Sequence, residues 1–117
     1  MKNLILSFFI FFQEARQLMG KLEKTFQKEV IDEVKQRLPG CIVLKNDAGY
    51  IQGFPDLTVH YGSKYAYLEC KKDRNATHQP NQDYYINKAN EDGAYAAFIF
   101  PENKEDILNE LQQALQS

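Results

Sequence analysis

Two stretches of this chain carry the residue types that chemistry needs: Gly53-Phe54-Pro55-Asp56 and Leu68-Glu69-Cys70-Lys71. The first opens a strand-like run at Asp56, and the second closes the next run. A strand alternates its side chains, so Glu69 and Lys71 share one face while Cys70 points to the other. Between the two runs lies Gly62-Ser63-Lys64, a hairpin turn signal. Counting outward from that turn places Asp56 opposite the neighbourhood of Glu69. Asp56, Glu69 and Lys71 therefore converge. Two hard oxygen donors favour Mg²⁺, with Mn²⁺ as a substitute, beside a water and a phosphate oxygen. Such an ion acts as a Lewis acid and lowers the pKa of a bound water. Lys71 is placed to orient or deprotonate that water, or to neutralise charge in the transition state. Taken alone, E-x-K is common and fits a surface ion pair equally well.

The elements that must hold these residues follow the order α-β-β-β-α-β-α. An amphipathic helix over 18–38 carries Leu22, Phe26, Val30, Val34 and Leu38 at every fourth position, joined by Ile31, and Pro39-Gly40 ends it. Strands are expected over 41–44, 56–61, 65–71 and 94–100. Asn46-Asp47-Ala48-Gly49 is turn material. A helix beginning at Pro80 runs to about Glu91, and a last helix is capped by Asn103. Three consecutive strands and a helical crossover to a fourth imply an α/β domain with a central mixed four-stranded sheet flanked by helices.

The first helix adds a candidate. At about 100° per residue, Glu23 falls about 20° from Val30, in the middle of the apolar stripe. A carboxylate aimed at a buried face needs a partner, a metal or water. Glu29 and Asp32 fall off the stripe and Glu33 lies at its margin, so Glu23 is the third acid of choice. A helix-end residue reaching solvent is the alternative. Arg37 on the same stripe is expected to snorkel. Gln82 sits in the first turn of the helix after Pro80, where a helix N-terminus also offers N–H groups to an anion. Lys45, Lys72 and Arg74 are candidates for nucleic-acid phosphate, Lys72 and Arg74 within the run Lys71-Lys72-Asp73-Arg74. Each equally fits a solvated strand end or loop. His78 is expected to be a loop residue.

Taken together, these motifs resemble the PD-(D/E)xK nuclease superfamily, and most closely its virus-type replication-repair (VRR-NUC) branch, related to archaeal Holliday-junction resolvases. That branch pairs a helix glutamate with G-x-P-D, E-x-K and a downstream glutamine. The resemblance spans Leu22 to about Phe100 and implies a restriction-endonuclease-like core. It further implies that Asp56, Glu69 and the Cys70 carbonyl bind metal. Lys71 would be catalytic, Glu23 would bind or steer metal, and Gln82 would support the site. Glu29 and Glu33 remain alternatives to Glu23. The implied activity is Mg²⁺-dependent DNA endonuclease cleavage of branched or structured replication and recombination intermediates. It also implies a phage-like or mobile-element protein, working as a homodimer in a host cytoplasm. A non-cleaving nucleic-acid-binding module and a protein-interaction domain are the rival readings.

Composition sets the outer bounds. The chain of 117 residues is one domain's length, with 44% hydrophobic and 26% charged residues. A net charge of −2 provides no global basic field, so nucleic-acid binding must be local. Cys41 and Cys70 have no partner motif and are expected to be reduced, in a cytosolic setting. His60 and His78 lack zinc-ligand spacing. No small-molecule substrate is indicated. The apolar run Leu4 to Phe12 is shorter than the ~20 residues that span a bilayer. Residues 1–18 are thus an extension of uncertain role, ahead of a single nuclease domain over 19–117. The extension fits a helix or strand packed on the body or a partner, a signal peptide, or residues upstream of a natural start at Met19.

Overall fold

The computed structural model describes residues 2–47 and 49–117; the Ala48 position of the expected turn lies outside the described residues. The elements are α1 (Lys2–Arg37), β1 (Ile42–Lys45), β2 (Leu57–Tyr61), β3 (Lys64–Cys70), α2 (Gln82–Glu91), β4 (Tyr95–Ile99), a 3₁₀ turn (Pro101–Asn103) and α3 (Lys104–Gln116). This is the expected α-β-β-β-α-β-α order. The sheet runs β1-β2-β3-β4. Its first three strands are antiparallel, and β4 lies parallel to β3 because α2 carries the chain back across the sheet.

Strand alternation divides the core as the sequence predicts. Leu57, Val59, Ala66, Leu68, Cys70 and Ile99 face one way, against α1 and α3. Ile86 and Ala89 of α2 cover the other face together with Ala96, Tyr67 and Phe98. The result is an α/β/α sandwich with a mixed four-stranded sheet.

Several boundaries differ from expectation. Helix α1 is continuous from Lys2, so no break separates residues 1–18 from the rest. Its 36 residues make a rod about 54 Å long, and the molecule measures 62 × 27 × 23 Å. Only its C-terminal half meets the sheet. Phe26, Val30, Ile31 and Val34 are buried, and so is Leu38 just beyond the helix, whereas Leu22 is 54% exposed. The apolar residues from Leu4 to Phe12 are likewise exposed and do not pack on the body. Arg37, expected to snorkel, instead pairs with Glu105 at 2.8 Å and Asn109 at 2.6 Å, tying α1 to α3. Cys41 lies just before β1, half-buried, and both cysteines are free thiols. Asn103 does not cap α3 with its side chain. Its Oδ1 accepts from the Phe100 N–H and its Nδ2 donates to the Phe98 carbonyl, closing the 3₁₀ turn instead.

Candidate active site

The site forms where β2 begins and β3 ends. Leu57 pairs with Leu68, which sets Asp56 across from Glu69 as the hairpin count predicts, although Asp56 itself lies just ahead of β2. The two residues clasp each other through the backbone. The Asp56 N–H donates to Glu69 Oε1 at 3.0 Å, and the Cys70 N–H donates to Asp56 Oδ2 at 3.0 Å. Each carboxylate is thus held by the other's strand.

On the α2 face, Gln82 joins the rest. Its Nε2 donates to Glu69 Oε2 at 2.9 Å, and its Oε1 accepts from Lys71 Nζ at 2.8 Å and from the Gln79 N–H at 2.8 Å. Lys71 Nζ also donates to the Thr77 carbonyl at 3.1 Å and lies 3.6 Å from Glu69 Oε2. An ammonium has three donors. Two are taken by Gln82 and Thr77, which leaves the third on the Glu69 side. Glu69, Lys71 and Gln82 are all buried, and each of the three has hydrogen-bond partners.

Burial with like charge makes this cluster electrostatically tense. Desolvation, then the neighbouring Asp56 charge, push the Glu69 carboxyl from an ordinary 4.5 up to about 7, against the pull of Lys71. Asp56 is also raised, mainly by burial, while the Cys70 N–H and Lys71 oppose the shift and Glu23 adds to it. Burial drives the Cys70 thiol up as well, so that side chain stays neutral and faces the core.

Glu23 is where the sequence reading needs correction. Its azimuth is right, but it is exposed rather than aimed into the core. It lines a cleft of about 200 Å³ together with Gly20, Lys24, Gln27, Asp56 and Cys70. The cleft opens onto Asp56 beside residues 20–27 of α1, at the start of the half that meets the sheet. Among the described residues no three His, Cys, Asp or Glu side chains gather closely enough to hold a metal ion by themselves. Glu23 is therefore a rim residue. Gln27, four positions after Glu23 and three after Lys24, neighbours both along the helix surface, a spacing that could have pointed to it. Asn46 was also missed: its Nδ2 donates to the Pro55 carbonyl at 2.8 Å and to Thr58 Oγ1 at 2.9 Å, bracing the turn before Asp56.

The other candidates sort by position. Lys45 is exposed at the end of β1, paired with Leu57 beside the Asp56 end. The run Lys71-Lys72-Asp73-Arg74 is not one basic surface. Lys71 turns inward, Lys72 Nζ lies 3.1 Å from Met19 Sδ, and Arg74 pairs with Glu102 at 3.7 Å. His78 is a loop residue, as expected, stacked on Phe98 with its Nδ1 3.0 Å from Asp83.

Helix α2 starts at Gln82 rather than Pro80, because Asn81 adopts a left-handed conformation at φ 73°. That turn packs against Gly53, whose φ is +82°. A Cβ at Gly53 would fall onto the Pro80 carbonyl oxygen and 2.8 Å from Asn81 Cβ. The glycine of the first motif thus lets the turn bring Gln82 to Glu69 and Lys71.

No protein-family model matches the chain, and no curated protein matches it. Its structure is similar to a solved structure described as a VRR_NUC domain, with a TM-score of 0.61 and 23% identity, covering 75% of this chain and 95% of that one. A second, a VRR_NUC domain protein, matches with a TM-score of 0.58 and 18% identity, covering 80% and 88%. A weaker likeness, with a TM-score of 0.47 and 19% identity over 66% and 67%, is to Hjc of Archaeoglobus fulgidus, a Holliday junction resolvase. The chain therefore has the VRR_NUC fold, a restriction-endonuclease-like α/β arrangement, as the motif resemblance implies.

Two predictions follow from this geometry. Gly53→Ala should destabilise the protein by roughly 1–3 kcal/mol more than Gly62→Ala. Both glycines have positive φ, but nothing lies within 4 Å of a Cβ at Gly62. Equal losses in urea unfolding would remove the close approach from the account. The second concerns pH. Both carboxyls have folded pKa values above their unfolded ones. Their contribution is present while they are protonated and is lost as pH rises through their folded pKa values, for Glu69 across the window from 4.5 to about 7. In EDTA at about pH 8, Asp56→Asn keeps an acceptor for the Cys70 N–H and removes one repelling charge. It should be more stable than wild type by roughly 1 kcal/mol or more, with the gap closing towards about pH 5. Thermal melts in EDTA at both pH values measure this; a less stable Asp56→Asn at the higher pH would refute the charge tension.

Proposed function

We propose that the chain is a Mg²⁺-dependent DNA endonuclease, with Mn²⁺ able to substitute, that hydrolyses phosphodiester bonds in branched or structured replication and recombination intermediates. The observation that carries the reading is the pairing of half-buried Asp56 with buried Glu69, locked to Lys71 through Gln82. The VRR_NUC fold supports it, and the branched substrate follows the resemblance of the motifs.

The donor set fits a divalent cation. Two neighbouring carboxylates with raised pKa values, one of them (Asp56) lining the cleft, repel each other, and a cation relieves that repulsion. Their oxygens, with the Cys70 carbonyl, are hard donors suited to Mg²⁺ or Mn²⁺. Bound there, the ion would supply Lewis acidity towards a phosphate oxygen and lower the pKa of a water.

The chain's own residues do the rest. Gln82 holds the Glu69 carboxylate and the Lys71 ammonium in fixed relation, so neither must reorganise when charge develops. Lys71 presents its remaining N–H donor on the Glu69 side, where it neutralises charge on the phosphoryl oxygens or orients a water. Glu23 acts from the rim of the cleft, steering cations towards Asp56 by its charge. Lys45, beside the Asp56 end, and Lys72 meet the DNA backbone. Arg74 joins them on giving up its exposed pairing with Glu102.

The test is incubation of duplex, single-stranded and four-way-junction DNA with the full chain, with and without Mg²⁺ or Mn²⁺, beside Asp56→Ala and Lys71→Ala. Wild type should cut only with metal. Each variant should lose about 100-fold or more in rate. No cutting by wild type with either metal defeats the nuclease reading. Equal cutting by Asp56→Ala places the activity elsewhere, and binding without cutting favours a clamp that holds nucleic acid.

We also infer that two copies pair through the projecting part of α1. Leu4, Phe8, Phe11, Ala15, Leu18 and Leu22 alternate steps of four and three, the spacing of a coiled-coil seam. The five large residues of that stripe are exposed. Light scattering should give a dimer for the full chain and a monomer for Phe8→Glu/Phe11→Glu. A monomeric wild type contradicts the pairing.

A further inference from the structure

The segment joining β1 to β2 holds a second cavity beside the site. Its first residue, Asn46, is fastened to the backbone around Asp56. The Asn46 N–H donates to the Asp56 carbonyl at 2.8 Å, and Asn46 Nδ2 donates to the Pro55 carbonyl and Thr58 Oγ1. Asn46, Asp47, Tyr50, Ile51 and Phe54 line a space of about 350 Å³. Phe54 is the backstop. Its ring stands 5.0 Å from Tyr67 and 5.2 Å from Tyr85, so a wall of aromatic side chains fixes it. Tyr50 is 83% exposed, although nothing in its sequence neighbourhood requires an aromatic ring in water.

The lining selects its occupant. Two aromatic rings and an isoleucine present flat apolar surface suited to the face of a planar heterocycle. Asp47 adds a carboxylate at the edge. Its Oδ1 already accepts the Gly49 N–H at 2.8 Å, and the carboxylate keeps lone pairs for further donors. That charge repels a phosphate and accepts from the amino or imino N–H of a base. Phe54 is two residues from Asp56, at most about 7 Å along the chain. A nucleotide bound here is therefore a near neighbour of the phosphate at the metal site.

We propose that this cavity receives an unpaired nucleobase of the strand held at the Asp56–Glu69 site. The base stacks on Tyr50 and Phe54, with its hydrogen-bonding edge turned to Asp47. A base within a duplex is stacked and paired and cannot enter, so the preferred substrate carries an unpaired nucleotide beside the scissile phosphate. This rests on the nuclease reading above and narrows its substrate class.

The experiment compares cleavage in Mn²⁺ of three matched DNAs: one with a single unpaired purine, the same DNA with an abasic residue at that nucleotide, and a fully paired duplex. The proteins are wild type, Tyr50→Ala and Tyr50→Phe. Base-on-aromatic stacking corresponds to about 5- to 150-fold per base. Wild type should therefore favour the base-bearing over the abasic substrate by about tenfold in kcat/KM. Tyr50→Phe should keep the preference and Tyr50→Ala should lose it. Equal rates on the base-bearing and abasic DNAs, or a preference that survives Tyr50→Ala, overturn the proposal. A second readout needs no cleavage: quenching of 2-aminopurine at the unpaired position by the Asp56→Asn chain, with and without Tyr50→Ala. If no protein cuts any DNA, the nuclease reading fails. Tyr50-dependent quenching then still supports the base pocket, and quenching that ignores Tyr50 overturns it.

Discussion

The structure turns on one carboxylate. Glu69 is buried beside a second acid, and burial and that neighbour together push its proton affinity up. Left alone, such a group would be among the costliest in a small protein. Three neighbours make it tolerable. The Asp56 N–H and the Gln82 amide donate to it, Lys71 stands 3.6 Å away, and Asp56 takes the Cys70 N–H in return. A network satisfied in this way is rigid, because losing any partner strands a buried polar group. What remains is charge repulsion between two acids, and a cation answers that need.

The rest of the fold serves this placement. The short β2–β3 hairpin fixes the register that sets Asp56 against Glu69. The crossover through α2 makes β4 parallel to β3 and brings Gln82 over the end of β3. Gly53 allows the Pro80–Asn81 turn to pack closely enough for that reach. Helix α1 lays its C-terminal half on the opposite face, the start of that half bordering the cleft at Asp56, and extends its other half past the sheet. Sealing one face and opening one edge are thus tasks of a single helix.

How much of this the sequence discloses depends on what kind of information a pattern holds. The period of two and the Gly62-Ser63-Lys64 turn signal carry approximate register, so Asp56, Glu69 and Lys71 are legible, and so is the division of the core, although Lys64 belongs to β3 and the turn is only Gly62-Ser63. The helical wheel carries azimuth but not reach along the axis. It put Glu23 and Leu22 on the correct side of α1, yet both lie beyond the point where the sheet stops covering the helix, and both are exposed. Pro80 reads as a helix start by local preference, but the left-handed Asn81 delays the helix to Gln82. That conformation goes with a contact from Gly53, some thirty residues earlier, which no local rule contains. Asn103 was a cap by type, and a nearer set of backbone partners claimed its side chain.

The central claim, that Asp56 and Glu69 are held together to bind a divalent cation, is met most directly by anomalous scattering from crystals of the full chain grown with Mn²⁺. The account predicts a single strong peak within coordinating distance of both carboxylates and the Cys70 carbonyl oxygen, lost in Asp56→Asn. A map with no peak between those carboxylates, or one that keeps the peak in Asp56→Asn, would contradict it.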